Sequence, residues 1–407
     1  MNNPDLRAVK TLANLFFIFL KIGATSFGGN VALVAAVRKE LCEKRKILSD
    51  AQLLDYMTLG NLLPGPLATN VIATCGYTIA GIAGAFVSLI GVLLPAFVLL
   101  CLFAVFYASY GENPLVKSIF SGLLPGVAAV IAATAWSLAK RNVKTVFQYV
   151  ILFLAAFVIV QPWLKGFYIT LLVIGASGLL GLLTKKKEEL VTELPVKESP
   201  RKWHGPIIAG SVLAAIVLVV AFLQPVTEFF RELRLLTVTF SGMSVTLFGG
   251  GYVFIPAMKG VVVDTHHWVT QQEFTNAIAV SQVTPGPISI SATFIGWKVA
   301  GFTGAVVATL GIFLPPAMLM ILMQQFISRV KHHPTVEAIF RGVRPAVIGM
   351  IAGSVWVIAG NALMEGQSIP GFVVIFVIVF ALSLWEKVDT ALLIPLAGLL
   401  GWLISLF

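Results

Sequence analysis

Charge is scarce in this chain. Only 11% of its 407 residues are Asp, Glu, Lys or Arg, about half of what a water-soluble surface carries. Cysteine is scarcer still: Cys42, Cys75 and Cys101 have no paired spacing, which excludes a disulfide framework and a cysteine-based zinc site. The paired histidines at 266–267 and 332–333 fall between apolar runs, without the helical spacing or third ligand of a metal centre. There is no H-E-x-x-H, no paired Asp-rich motif, no nucleophile set beside a helix histidine and no glycine-rich phosphate loop with its lysine. An enzyme and a nucleotide-driven pump are therefore the weaker classes, and no cofactor is expected. What the chain does have is apolar residues, 58% of the total, with a mean hydropathy of +0.94. Most of it must face lipid as well as itself.

Lys and Arg exceed Asp and Glu by 28 to 18, but the excess lies in short stretches between apolar runs, at 38–46, 140–144 and 185–202. That placement suits topology signals and anionic lipid rather than nucleic acid. The first apolar run, from Thr11 to about Val37, is longer than a signal-peptide core and is expected to be retained.

Windows of membrane-crossing length fall near 11–37, 51–75, 78–108, 116–139, 146–161 and 166–184. A charged linker, 185–205, and a lone apolar run, 206–225, follow; then the pattern resumes near 235–258, 274–297, 299–326, 336–360, 370–385 and 388–407. Residues repeat along with hydropathy. Phe27-Gly28-Gly29 returns as Phe248-Gly249-Gly250, and Pro64-Gly65-Pro66 as Pro285-Gly286-Pro287, both at an offset of 221. At an offset of 220, Gly76–Ala85 matches Gly296–Ala305 at five of ten positions, and Pro95, Pro125, Trp136 and Gly178 meet Pro315, Pro345, Trp356 and Gly398. The expected fold is an all-α polytopic membrane protein of two homologous halves, 1–184 and 226–407. With about 13 crossings, the odd run between the halves turns the second copy over as an inverted repeat. One stretch resists this count: 38–46 would lie outside with its five basic residues, unless the first run is re-entrant. Fewer crossings with re-entrant segments are the alternative.

Pro-Gly-Pro inside an apolar run frees backbone groups that need new partners. Such breaks at matching places in two halves point to a binding site. The half-helix after the first break carries Thr69 and Asn70; the second is preceded by Gln282 and Thr284 and followed by Ser289 and Ser291. Asn61 precedes the first break. Helix starts and Phe-Gly-Gly turns, the latter flanked by Ser26 and Asn30 and by Gly251 and Tyr252, are anion-binding backbone.

Charges within apolar runs are the second signal, because each costs about 2.5–3.5 kcal/mol at mid-bilayer on insertion scales. They are Lys21, Asp55, Glu273, Lys298, Arg341 and Arg344. Asp55 and Glu273 are the candidates for coupling to protons, with interfacial snorkelling the competing reading for both and for Lys21 and Lys298. Aligning 121–127 with 341–347 sets Ser121 against Arg341 and Leu124 against Arg344, so the duplicated fold needs neither arginine. Arg344, the deeper of the two, is the expected cationic contributor to an anion path.

The stretches SFGGNVALVAAVRKE, LLPGPLATNVIATCGYTIAGIAGA and GVLLPAF, answered by LFGGGYVFIPAM, WVTQQEFTNAIAVSQVTPGP, ATFIGWKVAGFTGA and GIFLPPAM, resemble the chromate ion transporter family over nearly the whole chain. The resemblance implies an inner-membrane carrier that expels chromate, a tetrahedral dianion similar to sulfate, with the lipid bilayer as its surroundings; a homodimer is left open. It carries over Phe27, Gly28, Gly29, Pro64, Gly65, Pro66, Phe248, Gly249, Gly250, Pro285, Gly286 and Pro287 as framework. The chain departs from the family pattern at Asn30, where proline is common, and at Ile47-Leu48, where tryptophan is.

Overall fold

A computed structural model describes residues 11–27, 29–111, 113–161, 167–183, 204–222, 227–246, 254–324, 334–364, 368–385, 388 and 390–406. Every regular element among them is helical. The first half comprises α1 (Leu12–Thr25), α2 (Gly29–Val37) with a π-helical extension at Arg38–Lys44, α3 (Asp50–Leu62), α4 (Leu67–Tyr110), α5 (Pro114–Asn142), α6 (Val146–Val160) and α7 (Phe167–Leu182). A connecting helix, α8 (His204–Phe222), leads to α9 (Glu228–Thr246), α10 (Phe254–Val262), α11 (Gln271–Val283), α12 (Ser291–Met323), α13 (Pro334–Met364), α14 (Ile369–Leu384) and α15 (Thr390–Ile404).

Local chemistry sets several starts. Asn113 caps α5 by accepting the Leu115 N–H at 2.9 Å, with Pro114 in the first turn. Ser49–Gln52, Thr145–Gln148 and Thr270–Glu273 form capping boxes at α3, α6 and α11. Proline occurs inside α4, α5, α12, α13 and α15, as membrane helices tolerate where neighbours take up the freed groups.

Four helices are long and apolar enough to cross a bilayer, Leu67–Tyr110, Pro114–Asn142, Ile288–Met323 and Glu337–Gly360. Six shorter apolar helices accompany them among the described residues. Phe153, Phe157, Leu172, Leu179 and Trp356 are each more than 60% exposed, so the outer surface is apolar as well as the core. A surface of this kind belongs in lipid.

The apolar windows near 51–75 and 274–297 are not single helices, since each is divided at Pro-Gly-Pro. The run near 11–37 likewise breaks at Ser26–Phe27. Helix α4 has its own break, at Ala80 (φ −138°, ψ 24°) and Gly81 (φ 66°, ψ −154°); α12 repeats it at Ala300 (φ −143°, ψ 34°) and Gly301 (φ 59°, ψ −150°). Only glycine adopts the second conformation without strain. Beyond it the chain doubles back, bringing Gly76 against Gly84 and Ser88, and Gly296 against Gly304 and Ala308. Each half therefore zigzags: a short helix, a Pro-Gly-Pro tip, a short arm and a long arm.

The halves repeat one another in fine detail. Lys46 (φ 50°) and His267 (φ 53°), 221 residues apart, share a left-handed turn, and Leu41 O accepts from Ile47 N as Val262 O accepts from Trp268 N, both at 2.8 Å.

The halves also interlock. Within each, the first helix packs on the long zigzag helix, α1 on α4 and α9 on α12; between them, α4 packs on α12 and α5 on α13. Helix α5 then lies against α14 and α15 of the second half, and α13 against α6 and α7 of the first. Each half thus exchanges a long helix with the other's terminal pair. Glycines make these crossings close: a methyl group on Gly122 would meet the Ala397 carbonyl and Gly401, and one on Gly342 would meet the Ser177 carbonyl and Gly181. Small residues at such contacts let membrane helices approach.

Candidate functional site

The two Pro-Gly-Pro segments are tips of helical hairpins. Helix α3 leaves its helical path at Leu63, Gly65 adopts φ 96°, and Pro66 opens α4. Helix α11 ends at Thr284, Gly286 adopts φ 137°, and a single 3-10 turn, Ile288–Ile290, leads into α12. Contacts at the open ends show that the arms run antiparallel. Tyr56 Oη lies 2.9 Å from Thr78 Oγ1 in the first hairpin, and Glu273 Oε1 lies 2.8 Å from Lys298 Nζ in the second.

Each tip rests on the long arm of the opposite half. Gly65 is so close to Pro316 that a side chain has no room, and Gly286 abuts Ala96. Ala96 lies fourteen residues from either end of the long arm, 82–110. Pro316 is equally far from Phe302, where its own long arm starts. Gly286 is thus seated at the middle of the opposite long arm, and Gly65 on Pro316, well inside the other arm and seven residues before its end at Met323.

Buried polar atoms gather on these segments. Gln282 (4% exposed) makes no hydrogen bond with either side-chain amide atom, nor does Ser289 (1% exposed) with its hydroxyl. Asn70, fully buried, donates from Nδ2 to the Pro64 carbonyl at 3.0 Å, which leaves Oδ1 unmatched. Thr69 Oγ1 donates to Pro66 O at 3.0 Å, Thr284 Oγ1 to Ser281 O at 3.1 Å, and Ser291 Oγ to the sulfur of Met258 at 3.7 Å. In the Phe-Gly-Gly turn of the first half, Ser26 is buried with its hydroxyl unmatched, as is Asn30 Oδ1, while Phe27 is exposed and Gly29 opens α2. Each such orphan costs about 1–3 kcal/mol, which makes these buried polar atoms the candidates for holding a polar ligand. Gln282 Nε2 and the hydroxyls of Ser289 and Ser26 are donors, as an anion requires.

The remaining residues read from sequence are spread more widely. Asn61 sits in the last turn of α3. Gly28 and Phe248–Tyr252, with Phe248, Gly249, Gly250 and Gly251, lie outside the described residues. Arg344 is exposed, its guanidinium 5.8 Å from the Phe340 ring centroid, on a helix that packs chiefly against α5, α6 and α7 rather than the hairpins. Arg341 pairs with Glu337 at 3.2 Å. Asp55 is half-buried on α3. Glu273 engages both oxygens, Oε2 accepting the Thr270 N–H at 2.9 Å and Oε1 meeting Lys298. At the start of the first hairpin, Arg38 binds Asp50 at 2.7 Å, and that hydrogen bond holds the carboxyl below its ordinary pKa. His266 stacks on Trp268 with centroids 4.4 Å apart.

Buried polar residues that went unread in the sequence also line the hairpins and long arms. Asn276 donates to Tyr107 Oη at 3.3 Å across the halves, Gln324 donates to Thr78 Oγ1 at 3.3 Å, and Ser88 Oγ is unmatched. A carboxamide or hydroxyl inside an apolar run was the signal. A separate cavity of about 380 Å³, bordered by Lys117, Ser121, Gln272, Ser368 and Ser405, contains none of the candidate binding residues.

The model of the chromate transporter family matches residues 13–182 and matches again over 234–402. The chain belongs to the chromate transporter family. The double match coincides with the two interlocked halves. The chain is 30% identical over 394 residues to the "probable chromate transport protein" of Synechococcus elongatus, covering 96% of this chain and 95% of that one. It is 29% identical over 396 residues to the chromate transport protein of Cupriavidus metallidurans, covering 96% and 92%, and 27% identical over 402 residues to that of Pseudomonas aeruginosa, covering 96% and 92%. No solved structure matches it significantly. As a member of this family the protein is a multi-pass membrane transport protein and not an enzyme.

Proposed function

We propose that the protein exports chromate, or a similar tetrahedral oxyanion such as sulfate, across the cytoplasmic membrane, binding it between the two Pro-Gly-Pro tips. The observation that carries this reading is the seating of those tips inside the opposite long arms, with the buried donors of Gln282 Nε2 and the Ser289 hydroxyl unmatched beside them. Unwound backbone and half-helix starts at the bilayer midplane are how transporters hold anionic groups. Arg344 stays in the proposal as the cationic contributor, acting where the anion approaches rather than at the tips.

The zigzag supports an inverted arrangement with the amino terminus cytoplasmic. A chain that enters and returns twice, over 12–44 and 50–79, keeps the basic stretch 38–46 on the same face as 140–144 and 185–202. Helix α8 then crosses alone and turns the second half over, which returns 329–331 to that face. The positive-inside rule is met at every one of these stretches, including the one that a plain count of apolar windows sets outside.

Export of a dianion can run on the membrane potential, since each elementary charge is worth about 2.3 kcal/mol per 100 mV and two charges about twice that. Proton coupling would fall to Asp55 or Glu273. The test is chromate and sulfate flux in proteoliposomes with potential and pH gradient imposed separately. Flux that follows the potential is expected, and flux equal to empty vesicles under every gradient defeats the reading.

A further inference from the structure

The two hairpins share a backbone and differ in charge at their open ends. In the first, Gln52 completes the capping box with Ser49 without any charge, and Thr78 is tied to Tyr56 and Gln324 through neutral hydrogen bonds. In the second, Glu273 takes the place of Gln52 and Lys298 that of Thr78, and they form an ion pair of 2.8 Å. A capping box is served as well by Gln as by Glu, so the carboxylate at 273 is not needed to start α11. The first hairpin closes without a lysine, so Lys298 is not needed to fold the second. Lys298 stands three residues before the Gly301 turn, with its side chain 34% exposed against 17% for Glu273. The cation is the more accessible partner, and the carboxylate sits behind it.

Building on the transport reading, we propose that Lys298 is a docking station for the transported oxyanion at the open end of the second hairpin, and that Glu273 is its built-in competitor. With no anion present, Glu273 neutralises Lys298 and holds the two arms together. An arriving dianion brings two negative charges to the ammonium against the single charge of Glu273, and takes its place. A lysine suits a station that must release its cargo: its ammonium is a compact, strongly hydrated point charge, without the two-pronged grip of arginine on an oxyanion. The first hairpin's own ion pair, Arg38 with Asp50, ties its start to the preceding segment and does not join its two arms, so the arm-to-arm pair, and the station with it, serves one face of the membrane.

The experiment is chromate flux in proteoliposomes of uniform orientation, with chromate supplied to one face at a time. Glu273→Gln and Lys298→Thr place in the second hairpin the residues that the first already uses. Removing the competitor is expected to lower the apparent KM about fivefold on the face of the second hairpin's open end; removing the station is expected to raise it about fivefold there, the worth of one unit charge at contact distance in water. The KM on the opposite face stays unchanged in both. An ion pair that served structure alone would shift both variants in the same direction and on both faces, and that result overturns the proposal. The reversed pair, Glu273→Lys with Lys298→Glu, keeps the bond but sets the cation behind the carboxylate, and is expected to show the high KM of Lys298→Thr; a wild-type KM in it also overturns the proposal. Wild-type liposomes without flux would defeat the transport reading and this inference together, whereas normal wild-type flux with same-direction shifts defeats only the inference.

Discussion

Replacing Gly81 by alanine isolates the energy stored in the zigzag. The residue has φ 66° and ψ −154°, and a methyl group built on it meets nothing within 4 Å. Collision with neighbours is therefore removed from the problem, and the whole effect is the cost of holding an L-residue in a region that belongs to glycine, about 1–3 kcal/mol. Gly301, with φ 59°, ψ −150° and the same open space, carries an equal cost. With the two turns in separate halves and no shared partner, the double variant is expected to lose about twice as much, roughly 2–6 kcal/mol. Gly175 is the control: it lies inside α7, a methyl group there also meets nothing within 4 Å, and its φ is not positive. Gly175→Ala is expected to gain about 0.5–1 kcal/mol, because alanine is the better helix former. Thermal unfolding of the purified variants in detergent reads all four, with melting temperature falling for Gly81→Ala and Gly301→Ala, falling further for the pair, and not falling for Gly175→Ala. A Gly81→Ala protein as stable as wild type would refute the turn and the doubled-back geometry that depends on it.

Gln282→Leu is expected to act in two directions: it removes buried amide atoms that have no protein partner, raising thermal stability without anion by about 1–3 kcal/mol, and it weakens chromate affinity about tenfold or more, a hydrogen bond to a charged group being worth about 1.5–3 kcal/mol. Isothermal titration and thermal shift on one sample check both, and Asn70→Ala, Asn61→Ala and Ser289→Ala are expected to weaken affinity by smaller factors. Gly122→Leu drives a side chain into the Ala397 carbonyl and Gly401 and is expected to prevent folding, seen as loss of a monodisperse peak in size-exclusion chromatography; Gly342→Leu is its equal in the other half. Arg344→Leu, which installs the residue found at Leu124 in the first half, is expected to fold normally and lose flux, with Arg344→Lys recovering only a fraction of it; full transport by a well-expressed Arg344→Leu protein would remove Arg344 from the path.

Much of this fold is legible in the chain because glycine and proline mark backbone events directly. The matching Pro-Gly-Pro segments announced two broken helices, and the half-helix carrying Thr69 and Asn70 begins at Leu67, directly after the first break. Hydropathy was a poorer guide to the same regions. A window over 51–75 averages two antiparallel arms into one apparent crossing, because apolar content records burial in lipid and not the direction of the chain. The contact that reveals the reversal, Tyr56 with Thr78, joins residues 22 apart and leaves no periodic trace. Nor does the exchange of α5 and α13 between halves: Gly122 and Gly342 stand in register at an offset of 220, but in sequence a glycine that admits a neighbouring helix looks the same as one that loosens its own. Gln282 was legible as a polar residue beside a break. Asn276 and Gln324 show in sequence only as carboxamides inside apolar runs, and their pairing does not, since their partners come from distant segments, Tyr107 and Thr78.

The central claim is that one anion lies between the two hairpin tips, and anomalous X-ray diffraction from crystals grown with chromate locates it directly. The account predicts a chromium peak between the tips, within hydrogen-bonding distance of Gln282 and Ser289 from the second hairpin and of the helix start at Leu67 from the first. A peak elsewhere, with the tips packed only on Ala96 and Pro316, would contradict it.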